Sequence, residues 1–187
     1  MSEANKEQVA GTHYQIQPFQ HWDFVLEARI PYMEGQILKY MSRWRNKNGL
    51  QDLKKAGHFY CKLIEWVAED KFYRGSRVVA LSEDEVTALF MKWVEQNKFP
   101  SEDSLVMAFV TMWPFAPDPK KELARGLELL SELVAKEEIA REDHIYRLGL
   151  LEQEAVWKVC PQCSTPYIPV MGHECAGRNY VNQDQLL

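Results

Sequence analysis

No stretch of this 187-residue chain is long and apolar enough to suggest a membrane span. The longest apolar run, 104–116, is interrupted by Thr111 and Pro114, and it falls short of the roughly 20 residues that a membrane helix needs. It reads as core. Positive charge is also scarce: 22 Lys and Arg stand against 27 Asp and Glu, a formal net charge of −5. That balance argues against nonspecific coating of nucleic acid, whose affinity comes from many cations displacing counterions, although local basic stripes remain open. Residues 1–8 carry no apolar segment of the signal-peptide kind, so a cytoplasmic location is expected. There is no Gly-x-x-x-x-Gly-Lys-Ser/Thr loop, which excludes an ordinary P-loop kinase. The paired acidic motifs of all-helical nucleotide pyrophosphohydrolases are missing, and no Ser/His/Asp or Cys/His set is convincingly placed. Cysteine is limited to four residues. Three of them cluster near the C-terminus, and Cys61 falls in a helical pattern that marks it as core.

What is present is an ordinary globular composition, 46% hydrophobic and 26% charged, with room for one main core and a small satellite module. Residues 1–10 read as a flexible tail. Phe19, Trp22, Phe24, Val25 and Leu26 recur at helical spacing after Pro18, and Ile30-Pro31 ends that helix. A second helix is expected over 32–45 on Met33, Ile37, Tyr40, Met41 and Trp44, with Gln36, Lys39 and Arg43 on its other side. The Asn46-Lys-Asn-Gly49 turn then leads into a third helix over 50–70, giving an antiparallel hairpin. Ser82 and Glu85 form a capping-box pattern for a fourth helix, and Ser101 is expected to cap a fifth that the prolines at 114, 117 and 119 break. A sixth helix is expected over about 119–139, followed by a separate charged helix or helical linker over 137–156. The resulting fold class is mainly α: a helical bundle built on the hairpin of region 11–70, continued by helices over 71–155.

Beyond residue 155 the composition shifts to Pro, Gly, Cys and β-formers, marking a second module at 156–187. Cys160 and Cys163 have the two-residue spacing that lets two thiolates converge on one ion, and His173 and Cys175 complete a tetrahedral set. Such a thiolate-rich set suits a structural zinc ion in a knuckle or ribbon and leaves no open position for catalysis. A segment this short needs the metal for much of its folding free energy. Strands are expected on entry, 156–159, and on exit, 167–170.

Lys39 and Arg43 lie one helical turn apart, so both can reach one anionic group, for which a phosphate is the natural candidate. Asp52 opens the next helix beside Lys55, where it can orient Arg43 or hold magnesium. His13 and Tyr14 can stack on a base or bond to it. A plainer reading stays open beside this one: Lys39 and Arg43 as a solvated face pairing with Asp52 and Glu34, and His13 and Tyr14 pinning the tail. The combined order of His13-Tyr14, Gly35-Gln-Ile-Leu-Lys39-Tyr40 with Arg43, Lys47-Asn-Gly, and Asp52-Leu-Lys-Lys55-Ala56 resembles the SaV-like bacteriophage domain family. The resemblance covers about 11–67. Gly35-Gln36 and Trp44-Arg45 depart from the family pattern.

The resemblance implies a phage-type protein related to a P-loop-free nucleotide kinase. The leading expectation is therefore a nucleotide-binding protein and possible (deoxy)nucleoside monophosphate kinase using magnesium, with Lys39 and Arg43 stabilising phosphate charge. The alternative is a noncatalytic binder that sequesters a nucleotide signal or docks on a host protein. Homo-oligomerisation is expected from the exposed aromatics. Contact with nucleic acid through Lys158 and Arg178 of the zinc module is a third expectation.

Overall fold

Apolar positions repeating every three to four residues form helices along the chain, each burying one stripe. A computed structural model describes residues 3–6, 16–69, 81–154, 158–159 and 166–167. In order these form α1 (Glu3–Lys6), α2 (His21–Glu27), α3 (Tyr32–Met41), α4 (Leu50–Ala68), α5 (Glu83–Asn97), α6 (Ser101–Met112) and α7 (Pro119–Glu154). Single 3-10 turns follow α3 at Trp44–Asn46 and α6 at Trp113–Phe115. The mainly helical class read from the sequence is thus realised among the described residues. None of the described helices is long and apolar enough to cross a membrane. The chain divides into one unit spanning Met1–Glu137 and another spanning Glu138–Leu187.

In the first unit α3 and α4 pack as an antiparallel hairpin. Their contacts step in opposite directions: Tyr32 and Tyr40 meet Phe59, Tyr40 also lies near Lys55, and Arg43 meets Asp52. Ile37, Leu38 and Met41 join Leu53, Ala56, Tyr60 and Leu63 in the core. Face-to-face stacking of Phe24 on Trp93, with centroids 4.4 Å apart, ties α2 to α5, and Phe99 meets Trp93 edge-on at 5.0 Å. Such pairs stabilise beyond their buried area.

Several local expectations hold and others shift. Ser82 and Glu85 form both halves of the capping box. Ser101, by contrast, is the first helical residue and not the cap: the Ser104 amide donates to the Pro100 carbonyl, so the hydrogen-bond ladder starts one residue earlier. α3 ends at Met41, before the expected Arg45. The chain leaves the helix there because Trp44 and Arg45 both bond to Asp103 in the first turn of α6, the indole at 3.1 Å and the guanidinium at 2.8 Å and 3.0 Å. Residues 119–154 form one helix in place of two, since no proline interrupts them after Pro119. Cys61 is exposed: the buried stripe of α4 runs through Ala56, Tyr60, Leu63 and Val67, and Cys61 falls outside it. Trp22 and Leu26 are exposed as well, because the seven-residue α2 buries Phe24 and turns its other flank outward.

In the second unit β1 (Lys158–Val159) pairs antiparallel with β2 (Pro166–Tyr167), Lys158 opposite Tyr167 and Val159 opposite Pro166. In sequence, Cys160 and Cys163 fall between these strands. All four proposed zinc ligands, Cys160, Cys163, His173 and Cys175, lie outside the described residues.

Candidate functional site

The site begins at the end of α3. Ser42 closes the helix, its amide donating to the Leu38 carbonyl and its hydroxyl to the Lys39 carbonyl. Arg43 then adopts a non-helical backbone, φ −126° and ψ −9°, that carries its side chain toward α4. The chain reverses at Gly49, whose φ of +51° and ψ of −131° suit a residue without Cβ. That turn brings Asp52 into the first turn of α4, where a negative charge meets the positive end of the helix dipole.

Asp52 is fully buried and surrounded by donors. Arg43 donates through Nε to Oδ2 at 3.0 Å and through Nη2 to Oδ1 at 3.3 Å. Asn48 adds an N–H to Oδ1 at 3.1 Å, and the Lys55 ammonium stands 3.9 Å away. Asp52 thus orients Arg43, as read from the sequence; the Arg43–Asp52 pairing of the plainer reading forms as well, but buried and not on a solvated face. Tyr40 packs among the same cations, with Arg43 4.8 Å, Lys55 5.7 Å and Lys39 6.0 Å from its ring centroid. Burial lowers the Lys39 pKa below its ordinary value. The positive charges of Arg43 and Lys47 lower it further, and Asp52 partly opposes them.

Lys39 also forms one wall of a cleft of about 340 Å³ lined by Gln20, His21, Trp22 and Gln36. His21 places Nε2 2.8 Å from the Gly35 carbonyl oxygen. Burial pushes its pKa down to about 4; the carbonyl bond resists this shift, while Lys39 and Arg43 add to it. His21 is therefore neutral at pH 7. Its proton sits on Nε2, facing the carbonyl, which leaves Nδ1 as an acceptor. The cleft combines an aromatic face, two amide side chains, a neutral imidazole and one ammonium group.

The structure brings together Lys39, Arg43, Asp52 and Lys55 from the expected set, while His13 and Tyr14 lie outside the described residues. Among the described residues there is no group of three or more His, Cys, Asp or Glu side chains that could hold a metal ion. Gln20, His21 and Trp22 were not anticipated as site residues. Gln36 sits one turn before Lys39 on the same face, a spacing that signals a shared surface.

Residues 10–61 match a family described as a protein of unknown function (DUF3310). The matched stretch contains α2, α3 and most of α4, and with them every residue of the cation cluster and the cleft. No curated protein and no solved structure matches the chain.

Proposed function

We propose that this protein binds a nucleotide, with the phosphate on Lys39 and the base in the adjoining cleft. One observation carries the reading: an ammonium group held close to other cations lines a cleft walled by Trp22, His21 and the amides of Gln20 and Gln36. An anion placed there relieves the repulsion among Lys39, Arg43 and Lys47. A flat aromatic base finds a stacking surface in Trp22, which is 44% exposed. The cleft volume lies within the range of small-molecule sites, roughly 300–1,000 Å³.

Titration calorimetry with purified protein and deoxynucleoside monophosphates tests this. Binding is expected, with at least about a tenfold loss on Lys39→Met, the size of one charge-assisted contact. No heat with any monophosphate at millimolar concentration defeats the reading.

The resemblance to a phage nucleotide kinase supports a second reading, phosphoryl transfer, in which Lys39 stabilises phosphate charge directly and Arg43, held by Asp52, contributes through the local positive field. Asp52 does not fit a magnesium ligand, since Arg43 and Asn48 already occupy its oxygens. Incubation with ATP, magnesium and a monophosphate separates the two readings: diphosphate product supports transfer, and tight capture without turnover supports the binder that sequesters a nucleotide or docks on a host protein.

The proposal further takes the protein as phage-type and cytoplasmic, a homo-oligomer through exposed aromatics outside the cleft such as Trp66, with a structural zinc on Cys160, Cys163, His173 and Cys175. The ligand spacing supports the zinc, and in sequence Cys160 and Cys163 fall between the paired strands β1 and β2.

A further inference from the structure

Lys39 separates two aromatic surfaces. On one side lies the Trp22 cleft. On the other, its ammonium stands 6.0 Å from the Tyr40 ring, which stacks on Phe59 at 5.9 Å and 24°. Phe59 in turn meets Tyr32 at 6.5 Å, and Tyr32 is 70% exposed. Lys55, 43% exposed, lies 5.7 Å from the same Tyr40 ring. The Lys39 and Lys55 ammonium groups thus lie beside the Tyr40 ring, from which Phe59 leads to the exposed Tyr32. A mononucleotide in the cleft engages Trp22 and Lys39 and leaves the exposed Tyr32 untouched.

We propose that this strip binds single-stranded nucleic acid: one base against Trp22, the next phosphate on Lys39, and a following base against the exposed Tyr32, with Tyr40 and Phe59 packed beneath as its support. The inference rests on the cleft reading above and extends its ligand from a nucleotide to a strand. Stacking on aromatic side chains needs bases whose faces are accessible, as they are in a single strand and not inside a duplex. The cations suit a polyanion, yet the chain carries a net charge of −5, so the contact is short and involves few phosphates. Binding through Lys39 and Lys55 predicts a log–log salt slope of about −1.4, two contacts at roughly −0.7 each for single strands.

Fluorescence anisotropy with end-labelled thymidylate and uridylate octamers, competed by dTMP and by a duplex, tests the proposal on the full chain. At least one octamer is expected to bind tenfold or more tighter than dTMP, since each stacked base contributes about 1–3 kcal/mol. The difference between the two octamers tells DNA from RNA. Tyr32→Ala should weaken octamer binding at least fivefold without moving the thermal midpoint, because the side chain is mostly in water. An octamer no tighter than dTMP overturns the strand while leaving the nucleotide reading intact; failure of both ligands removes both readings. Equal competition by duplex, or full octamer affinity in Tyr32→Ala, also overturns it.

Discussion

Arg43 and Asp52 form a closed ion pair, two N–H donors of one meeting both oxygens of the other, with side chains only 9% and 0% exposed. The pair fastens the end of α3 to the start of α4 across the Gly49 turn. Removing either partner leaves a charge shut away from water, which costs about 3–5 kcal/mol in comparable buried pairs. Arg43→Ala and Asp52→Ala are expected to lower the urea midpoint by a similar amount, and the double variant by much less than their sum. Arg43→Lys should not restore stability, since an ammonium cannot supply the two-pronged bond. Lost ligand binding in Arg43 variants therefore reports the fold first, which makes Lys39→Met the diagnostic substitution.

Gly126 and Gly57 should respond in opposite directions to alanine. A Cβ at Gly126 would stand 2.7 Å from the Phe109 Cβ and run into the Tyr60 hydroxyl, a residue fully buried in α4. Overpacking of this kind costs about 1–3 kcal/mol, more than the roughly 1 kcal/mol of helix propensity gained. At Gly57 the nearest atom is Leu130 Cδ2 at 4.0 Å, so Gly57→Ala should raise stability by up to about 1 kcal/mol. Chemical denaturation of both variants checks the pair; a stabilised Gly126→Ala would show that α7 does not approach so closely.

His21 sets an acid limit on stability. Its pKa falls from 6.5 to about 4 on folding, so between those values the unfolded chain binds the extra proton. Stability is fully present above pH 6.5 and declines as pH falls toward 4, by about 3 kcal/mol at most. His21→Gln should flatten the unfolding free energy over that interval, and an unchanged slope would exclude the histidine as its source.

Native mass spectrometry of the intact chain should find one zinc ion per subunit. Cys160→Ser or Cys175→Ser should lose it, because each removes one of four ligands. A metal-free wild-type protein purified with zinc in the buffer would remove the knuckle from the proposal.

Features set by neighbours in the chain were legible in advance. The capping box of Ser82 and Glu85, the Gly49 turn and the buried stripe of α4 all depend on residues within a few positions of one another. The grouping of Lys39, Arg43, Asp52 and Lys55 was legible for the same reason, since one hairpin holds them all. The early end of α3 was not, because Asp103, which draws off Trp44 and Arg45, lies 59 and 58 positions from them. Burial of Asp52, Glu34 and Asp103 was hidden too: hydrophobic periodicity assigns charged residues to the surface, and only their donors make the interior tolerable.

By itself the sequence determined a helical chain, a hairpin bearing Lys39 and Arg43, and a cysteine-rich end at metal-ligand spacing, because periodicity, turn chemistry and ligand spacing act over short distances. Tertiary structure decided which of those cations faces a cleft. It gave Arg43 to Asp52, set Lys39 beside Trp22 and His21 from another helix, and left Tyr32 in water, and each outcome depends on how α2, α3 and α4 pack.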